Sequence, residues 1–521
     1  MILKTPSVFS KVNLGLILGI IVTLISTLVV IGSIKGNLGN PNITELNSPK
    51  WMADGPLELS PDRGRYALLY SVAEQNTVHF SLEVAKFAMP DLGYNDGKFV
   101  SLFAPGLSFI LVPGYWIGKY FGSAQVGAFG IIAICAILNF ILIAQIAIKL
   151  GAKHSAAYLG ALAFLFGTNA YAYSVSLYQH HISTFLILAL FYAILKFKPI
   201  IYLPLIWFVC AASVSIDYPN FFMLIPFGIY GLTKLINISI ANKKLKFTLF
   251  PIRWLSLLFL IPPIIAFAEF NRVSYGNPLT LAGSVEQVKA LDANNMPVKD
   301  VKLDSNTSDR DVVAFFATRK MLNGFYILFF SPDRGLLQYA PIVVFGTLGF
   351  FFIKRNEIKY IMAGVISMNI ILYSMWGDPW GGWAFGPRYL IPIFAVLSIL
   401  IGMLLTKAPK KTLILLIFIP VFAFSVYINT IGALTSNANP PQVEVLKLEE
   451  LSGHEEKYTY GRNIDELNAN DSKAFIFKEF IKGKYSAWQY THLMQTAIGV
   501  CAILCVIGLV LSKKEETYER H

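Results

Sequence analysis

The sequence predicts an all-α protein that crosses a membrane about 12 times. Hydrophobic residues make up 55% of its 521 residues, charged residues 14%, and the mean hydropathy is +0.57. These values lie far from those of soluble domains. The apolar residues also form long runs that lack the alternating period of barrel strands, so a polytopic helical fold is expected.

Twelve apolar runs approach the length of about 20 residues that a spanning helix needs. The first, at about 13–33, is followed by no small-residue cleavage site, so we interpret it as a retained helix. The others lie at roughly 124–148, 155–171, 180–197, 199–215, 218–236, 250–270, 336–353, 360–376, 388–406, 411–431 and 490–511. All four cysteines fall inside such runs, so neither a disulfide framework nor a CxxC metal site is indicated.

The basic residues are distributed as membrane-insertion signals. The net charge of +12 could indicate a nucleic-acid partner, but Lys and Arg stand in short clusters between the apolar runs. Residues 101–121 are also apolar, broken by Pro105 and Pro113. If they do not span, the clusters from Lys4 to Lys514 gather on one side, as the positive-inside rule requires. We therefore expect an interfacial or re-entrant helix at 101–121 on the outer face, cytoplasmic termini and no nucleic-acid partner.

Function is expected on the outer side. The topology places three long polar segments there, at about 34–100, 271–335 and 432–489. Short turns near 172–180 and 376–388 face the same compartment, so their side chains can contribute to one shared site.

The pentapeptide Ser-Pro-Asp-Arg-Gly occurs twice, at Ser60–Gly64 and at Ser331–Gly335. Ser followed by Pro predicts a helix start, which places Asp62 and Asp333 in first turns. Free N–H groups and the helix dipole stabilise a carboxylate there, and this alone is a sufficient structural reason for either residue. The same surroundings would keep Asp62 ionised, as a catalytic base must be, and both interpretations stay open.

Two arginines lie at predicted outer helix ends, the wrong side for an insertion signal. Arg388 follows a Trp- and Gly-rich stretch, and Arg334 belongs to the second pentapeptide. Each cation therefore needs a partner at the outer surface, and a phosphate suits the planar guanidinium fork. The alternatives are a lipid headgroup or a loop carboxylate such as Asp378.

Polar residues also stand at other outer helix ends. His180 and His181 form one pair, and Asp217 lies at another helix end. Two histidines and a carboxylate could hold a divalent metal, but adjacent histidines in a helix point about 100° apart, which favours satisfied interfacial side chains.

Glu269 and Asn271 close a further helix. Glu269 could pair with Arg272 or help to orient an acceptor.

The order of these features resembles the GT-C superfamily of membrane glycosyltransferases, which includes dolichyl-phosphate-mannose protein mannosyltransferases and aminoarabinose transferases. The stretch from Asp62 through Arg65 to Tyr66 is similar to the family's Asp-x-x-Arg-Tyr start. Ala104-Pro-Gly-Leu107 is similar to its proline-containing interfacial helix.

A narrower resemblance, to uncharacterised prokaryotic members, covers most of residues 55–405. Its motifs, in order, are Gly97-Lys98 with Ala104–Ser108, Tyr178–His180, Asp217–Pro219, Asn271 with Tyr275–Pro278, Ser331–Gly335 and Trp380–Tyr389. One departure matters, because many relatives have a Lys just before the proline helix, where this chain has Leu102 and Phe103.

The resemblance implies a sugar transfer from a polyprenyl-phosphate donor to an acceptor on the outer face of the cell membrane. Asp62 would be the general base of an inverting reaction, and Arg388, Arg334 and Arg65 would bind the donor phosphate. The residues implied for the acceptor or sugar are His180, Asp217, Glu269, Asn271, Trp380 and Tyr389. The acceptor would be a protein, a glycolipid or a polysaccharide; no cofactor is certain, and a divalent metal is open.

The implied organisation is a GT-C-like catalytic domain at 1–431, with outer loops at 34–123 and 271–335. An outer segment without an assigned role follows at 432–489, and then a last helix with a cytoplasmic tail at 490–521. Two other functions remain: a flippase or transporter of lipid-linked sugars, and an inactive scaffold. Transporters often carry inverted repeats, and no matching halves are visible here, which favours an enzyme.

Overall fold

The computed structural model describes residues 14–241, 244–298 and 318–518. Within this part of the chain, seven helices are long and apolar enough to cross a membrane. They run Leu14–Ser33, Ala124–Lys149, Pro199–Ile216, Pro251–Tyr275, Arg388–Lys407, Thr412–Leu434 and Ala487–Leu511. The chain is therefore an α-helical polytopic membrane protein, as predicted. Lys4 lies outside the described residues.

The remaining five predicted spans are also helical, but four are shorter or interrupted. They are His154–Gly167, His180–Lys196, Asn220–Leu235, Asn356–Ser374 and the broken run of Leu336–Tyr339, Pro341–Val343, Val344–Gly349 and Phe350–Phe352. A helix of 14 residues, such as His154–Gly167, is about 21 Å long, less than the hydrocarbon core of about 30 Å. The total of about 12 spans stays a prediction.

The centre of the bundle is the helix Ile391–Lys407, in which every residue but the last is buried. It packs closely because glycines face its backbone. A Cβ on Gly346 would come within 2.4 Å of the Leu397 carbonyl oxygen, and one on Gly349 within 2.0 Å of the Leu400 carbonyl oxygen. Small residues at such contacts let helices approach each other in membranes. A short 3₁₀ turn, Arg388–Leu390, begins this central helix and fixes Arg388 at one end of the bundle.

The segment 34–123, predicted to be the first outer loop, is built from short elements. Its helices are Ile43–Leu46, Pro49–Asp54, Ser60–Gln75, Leu82–Ala88 and Gly106–Tyr120. The last of these covers most of the apolar segment predicted at 101–121; it has 15 residues, about 22 Å, with Pro113 inside it. Its interfacial or re-entrant placement stays a prediction.

Five short strands, which the sequence did not predict, accompany the helices. Leu92–Asn95 pairs with Lys98–Ser101 in a hairpin and also with Glu286–Val288, both antiparallel. This sheet joins the first outer loop to the chain that follows the helix Ile261–Tyr275. A second hairpin pairs Ile236–Ala241 with Lys244–Leu249.

The two pentapeptides fold differently. Ser60 begins the helix Ser60–Gln75, with Asp62 in its first turn, as predicted. Ser331–Gly335 instead forms a turn that precedes the short helix Leu336–Tyr339, so the predicted helix start there is wrong. The Ser331 hydroxyl accepts the Arg334 N–H at 3.1 Å and donates to the Ile327 carbonyl at 2.8 Å, which holds a single turn, and the next helix begins at Leu336.

The segment after the helix Lys411–Leu434, predicted to lie on the outer side, is folded against the rest of the chain. It contains the helices Gln442–Ser452 and Gly461–Asn468 and a π-helical turn, Phe477–Ile481. Residues 434–442 contact the loop that precedes Arg388, where the Ala384 N–H donates to the Asn439 carbonyl at 3.0 Å.

Candidate active site

A cavity of about 460 Å³ lies at the end of the bundle where the central helix begins. Six separate places along the chain contribute to it: Leu59–Arg65, Asp91, Phe103, Tyr178–His180, Asp217–Pro219 and Tyr373–Tyr389. Its charged lining residues are Arg65, Asp91, Asp217, Asp378 and Arg388. Its aromatic lining residues are Phe103, Tyr178, Tyr373, Trp376, Trp383 and Tyr389.

Asp62 lies beside this cavity in the first turn of the helix Ser60–Gln75. Leu59 is extended and Pro61 occupies one of the first two helical positions, which starts the helix there. The side chain is 3% exposed, and Oδ1 has no hydrogen-bond partner among the described residues. Burial raises the pKa of Asp62 to about 7, while the Tyr178 hydroxyl and the Arg65 and Arg388 charges oppose the rise. Pro61 and Arg65 line the cavity, whereas Asp62 lies behind that lining.

Arg65 reaches the cavity from the next turn of the same helix. One of its terminal nitrogens donates to the Pro61 carbonyl at 3.1 Å, and the guanidinium lies 4.3 Å from the centre of the Phe103 ring. Phe103 is one of the two residues that stand where many of the resembled proteins carry a Lys. Here the aromatic ring holds an arginine against the cavity by a cation–π contact.

Arg388 presents a cation with unused donors. Its guanidinium lies 5.1 Å from the Tyr178 ring centre and 5.7 Å from that of Tyr389. Nε and one terminal nitrogen have no hydrogen-bond partner among the described residues. Asp378, the alternative partner considered from sequence, accepts the backbone N–H of Gly382 at 2.6 Å. Arg388 thus places a guanidinium in the cavity lining, with two buried nitrogens that the described chain does not bind.

Arg334 is placed differently from the prediction. Its side chain is 0% exposed and donates to the carbonyl oxygens of Trp380, Asp333, Gly382 and Asn439 at 2.8–2.9 Å. Four of its five N–H groups are thus used by the backbone. The expected phosphate contact is therefore corrected: burial and saturation with carbonyl partners give Arg334 a structural place outside the cavity lining.

His180 and Asp217 both line the cavity. The His180 ring stacks on Tyr178 with centres 5.9 Å apart and planes 10° apart, and its Nε2 has no partner among the described residues. Asp217 accepts the Gln179 amide at 2.9 Å. His181 points away, with Nε2 at 2.7 Å from the Ala170 carbonyl, so the two histidines diverge. Across the described ranges, no group of three or more His, Cys, Asp and Glu could hold a metal ion.

The other predicted acceptor or sugar residues separate into two groups. Tyr389 lines the cavity and stacks on Tyr373, with ring centres 4.3 Å apart. Glu269 is exposed and pairs with Arg272, with Nε to Oε2 at 2.8 Å, and it lies outside the lining. Asn271 is buried and donates to the Pro278 carbonyl at 3.2 Å, which holds the turn after its helix.

Trp380 also lies outside the lining, with its carbonyl bound by Arg334. The structure thus brings Arg65, His180, Asp217, Arg388 and Tyr389 together beside Asp62, but not the other predicted site residues.

Several lining residues were not predicted. Tyr178 and Gln179 belong to a motif noticed for its histidines, and Trp376 and Trp383 to the Trp-rich stretch, so a signal was present for these four. Asp91 had none. It accepts hydrogen bonds from the Ser60 hydroxyl at 2.7 Å and the Gln287 amide at 3.3 Å, which are both distant from it in sequence.

Neither a protein-family model nor a curated protein matches the chain. Among solved structures, the chain is similar to ArnT from Cupriavidus metallidurans bound to undecaprenyl phosphate. The TM-score is 0.47 at 14% identity, over 95% of this chain and 77% of that one. ArnT from the same organism in the apo state gives a TM-score of 0.42 at 12% identity, over 94% and 76%.

Proposed function

We propose that this chain is an inverting membrane glycosyltransferase of the GT-C type, which transfers a sugar from a polyprenyl-phosphate donor to an acceptor. The observation that carries the proposal is the Arg388 guanidinium, which lines a cavity beside the buried Asp62 carboxylate and has two nitrogens without partners in the described chain. A cation for a leaving phosphate and a carboxylate for a nucleophile are what this chemistry needs.

Arg388 and Arg65 would bind the donor phosphate. Both line the cavity, and aromatic rings hold both guanidinium groups. As the bond from the anomeric carbon to the phosphate oxygen breaks, negative charge grows on that oxygen. Preorganised cations in a site of low dielectric stabilise this charge without reorganising, so their effect is largest in the transition state.

Asp62 would accept the proton of the acceptor hydroxyl or amine. The acceptor atom forms its bond to the anomeric carbon while the phosphate leaves from the opposite face, and the polyprenyl phosphate departs as product. A pKa of about 7 suits a base that works near neutral pH. Because Asp62 lies behind the lining, the acceptor must reach it at the wall that Pro61, Arg65 and Tyr178 form.

The remaining lining suits a sugar. Aromatic faces at Trp376, Trp383 and Tyr389 alternate with hydrogen-bonding groups at His180 and Asp217. A volume of about 460 Å³ is within the ordinary range of ligand pockets, about 300–1,000 Å³. We place this site on the outer face of the cell membrane and both termini in the cytoplasm, from the positive-inside distribution of Lys and Arg.

The test is a reconstituted assay with purified protein and a panel of radiolabelled polyprenyl-phosphate sugars. Wild type is compared with Asp62→Asn and Asp217→Asn, and label leaving the lipid is scored. We expect transfer or release by wild type, none by Asp62→Asn, and residual turnover by Asp217→Asn.

Other results would redirect the assignment. Full activity of Asp62→Asn together with loss in Asp217→Asn would move the base to Asp217. Translocation of intact donor without cleavage would make the chain a flippase. Binding without either process would leave an inactive scaffold.

A further inference from the structure

Residues 434–442, here called the strap, run from the last residue of the helix Lys411–Leu434 to the first residue of the helix Gln442–Ser452. None of them lines the cavity. Their two asparagines are nearly inaccessible, with Asn437 2% and Asn439 0% exposed. Buried amides at such positions are expected to be hydrogen-bonded, and their partners show which parts of the chain they hold together.

Asn437 connects two walls of the cavity. Its backbone N–H donates to Oε2 of Glu58 at 2.9 Å, four residues before Asp62. Its side-chain N–H₂ donates to the Ser176 hydroxyl at 3.0 Å, two residues before Tyr178. Its side-chain oxygen accepts the buried Lys35 ammonium at 3.0 Å.

Asn439 holds the third wall. Its carbonyl accepts the Ala384 N–H at 3.0 Å and an Arg334 N–H at 2.9 Å. Arg334 also donates to the Trp380 and Gly382 carbonyls at 2.9 Å, in the loop that leads to Arg388. The strap is thus hydrogen-bonded to the loop that leads to Arg388.

The strap is also hydrogen-bonded to the helix Gly461–Asn468 and to Lys473. The Ser436 N–H donates to Glu466 at 2.9 Å, and the Asn463 amide donates to the Ser436 carbonyl at 2.7 Å. The Leu434 carbonyl accepts the Lys473 N–H at 2.7 Å. The outer segment therefore fixes the strap, and the strap contacts the three walls.

We propose that the strap sets the relative positions of Asp62, Tyr178 and Arg388, and that Asn437 is a positioning residue for this site. Asn437 touches no lining atom of its own and acts through Glu58 and Ser176. This gives the segment 432–489 a role: through the strap it holds the walls of the cavity in position without lining the cavity itself.

Hydrogen–deuterium exchange tests the strap without any substrate. Wild type, Asn437→Ala and Asn429→Ala are compared in detergent. Asn429 is a matched control, because it is fully buried and donates to the Tyr339 and Ser425 carbonyls, away from Glu58, Ser176 and Ala384. Exchange reports local opening of backbone hydrogen bonds.

We expect Asn437→Ala, and not Asn429→Ala, to raise exchange in peptide 172–179, because the variant loses the side-chain contacts to Ser176 and Lys35 and keeps the backbone N–H that Glu58 accepts. A rise confined to 434–442 would overturn the proposal. If Asn437→Ala does not fold, Ser176→Ala removes the acceptor of the Asn437 amide together with the Ser176 bond to the Ala172 carbonyl, and exchange must then rise in 434–442 as well as in 172–179.

The kinetic arm rests on the proposed function. We expect Asn437→Ala to lower kcat on the order of 100-fold with little change in the donor KM, because a displacement of about 1 Å can cost this much. Asn437→Asp, which keeps the oxygen that Lys35 contacts, should recover part of the rate. An unchanged kcat would contradict the positioning role. Absence of transfer by wild type would instead reject the glycosyltransferase, while the exchange result would still decide the strap.

Discussion

The two copies of Ser-Pro-Asp-Arg-Gly have the same five residues and opposite surroundings. Ser60–Gly64 begins a helix at the cavity wall, whereas Ser331–Gly335 forms a turn buried under the strap. Asp333 accepts the Gln442 N–H at 2.9 Å, and Arg334 donates to four carbonyls. In both copies the aspartate Oδ1 atom has no hydrogen-bond partner in the described chain, so the copies differ in the Gln442 N–H bound by Asp333 Oδ2 and in the partners of the arginine.

The comparison teaches that backbone partners decide which copy can do chemistry. A guanidinium saturated by backbone carbonyls, such as that of Arg334, is held in place but has little left to offer a ligand. Arg63 is intermediate, with bonds to the Glu58 and Met89 carbonyls at 3.3 and 3.2 Å. Polar groups in the first copy remain available beside a cavity, and those in the second are used to join segments.

The largest expected effect is on transfer, and it should separate the two aspartates. Asp62→Asn removes the proposed base and should lower kcat by about 10²–10⁴-fold, while leaving donor binding intact. Asp333→Asn keeps an oxygen that can accept the Gln442 N–H, so we expect kcat close to wild type. Steady-state transfer assays on both variants measure the difference. Equal losses would mean that the two copies do not differ in function.

Loss of stability should be larger for the arginine of the second copy, Arg334, than for that of the first, Arg63. Arg334→Met removes four hydrogen bonds to backbone carbonyl oxygens and should lower the free energy of unfolding by about 4 kcal/mol, at about 1 kcal/mol each. Arg63→Met loses two longer bonds at a half-buried site and should cost less. Thermal unfolding in detergent compares the two Tm values. A greater loss for Arg63→Met would contradict the comparison.

Arg388 and the saturated Arg334 should also differ in their effect on kcat. Arg388→Ala removes a cation whose donors are unused in the described chain, so we expect kcat to fall about 10²–10³-fold with little change in Tm. Donor binding measured with a polyprenyl monophosphate should weaken as well. Unchanged kinetics would return Arg388 to a structural role.

The pH dependence of the transfer rate should report the protonation of the Asp62 side chain. With a pKa of about 7, Asp62 is protonated at lower pH and cannot act as a base, so the rate should rise about tenfold per pH unit below 7 and level off above it. Because burial raises this pKa, the associated stabilisation is present at low pH and lost as pH rises through about 7. Asp62→Asn should therefore unfold at a higher temperature than wild type at pH 8–9. A rate that does not change between pH 5 and 8 would exclude Asp62 as the base.

The smallest effect concerns the serines. Ser60→Ala removes one hydrogen bond, to Asp91, and should cost about 1 kcal/mol. Ser331→Ala removes two, to the Ile327 carbonyl and from the Arg334 N–H, and should cost more. Denaturation curves of the two variants give the order. A reversed order would show that the turn at Ser331 does not depend on its hydroxyl.

The sequence by itself determined the class of fold. Long apolar runs specify helices in a membrane, because every backbone polar group must be paired within its own segment. All twelve predicted spans are helical at nearly the predicted bounds, since this rule acts locally. The helix start at Ser60 was predicted for the same reason, because Leu59, Pro61 and Asp62 are adjacent in sequence.

Only the tertiary structure decided which polar residues meet. The structure brings Asp62, His180, Asp217 and Arg388 together, but their sequence motifs could not reveal that Arg334 is saturated by carbonyls from two other stretches of chain and from its neighbour Asp333. Nor could they reveal Asp91, which reaches the cavity through a sheet formed with residues 286–288. A hydrogen bond depends on the distance between atoms that the chain brings together after folding. Identical pentapeptides can therefore have different roles, and the sequence does not state which.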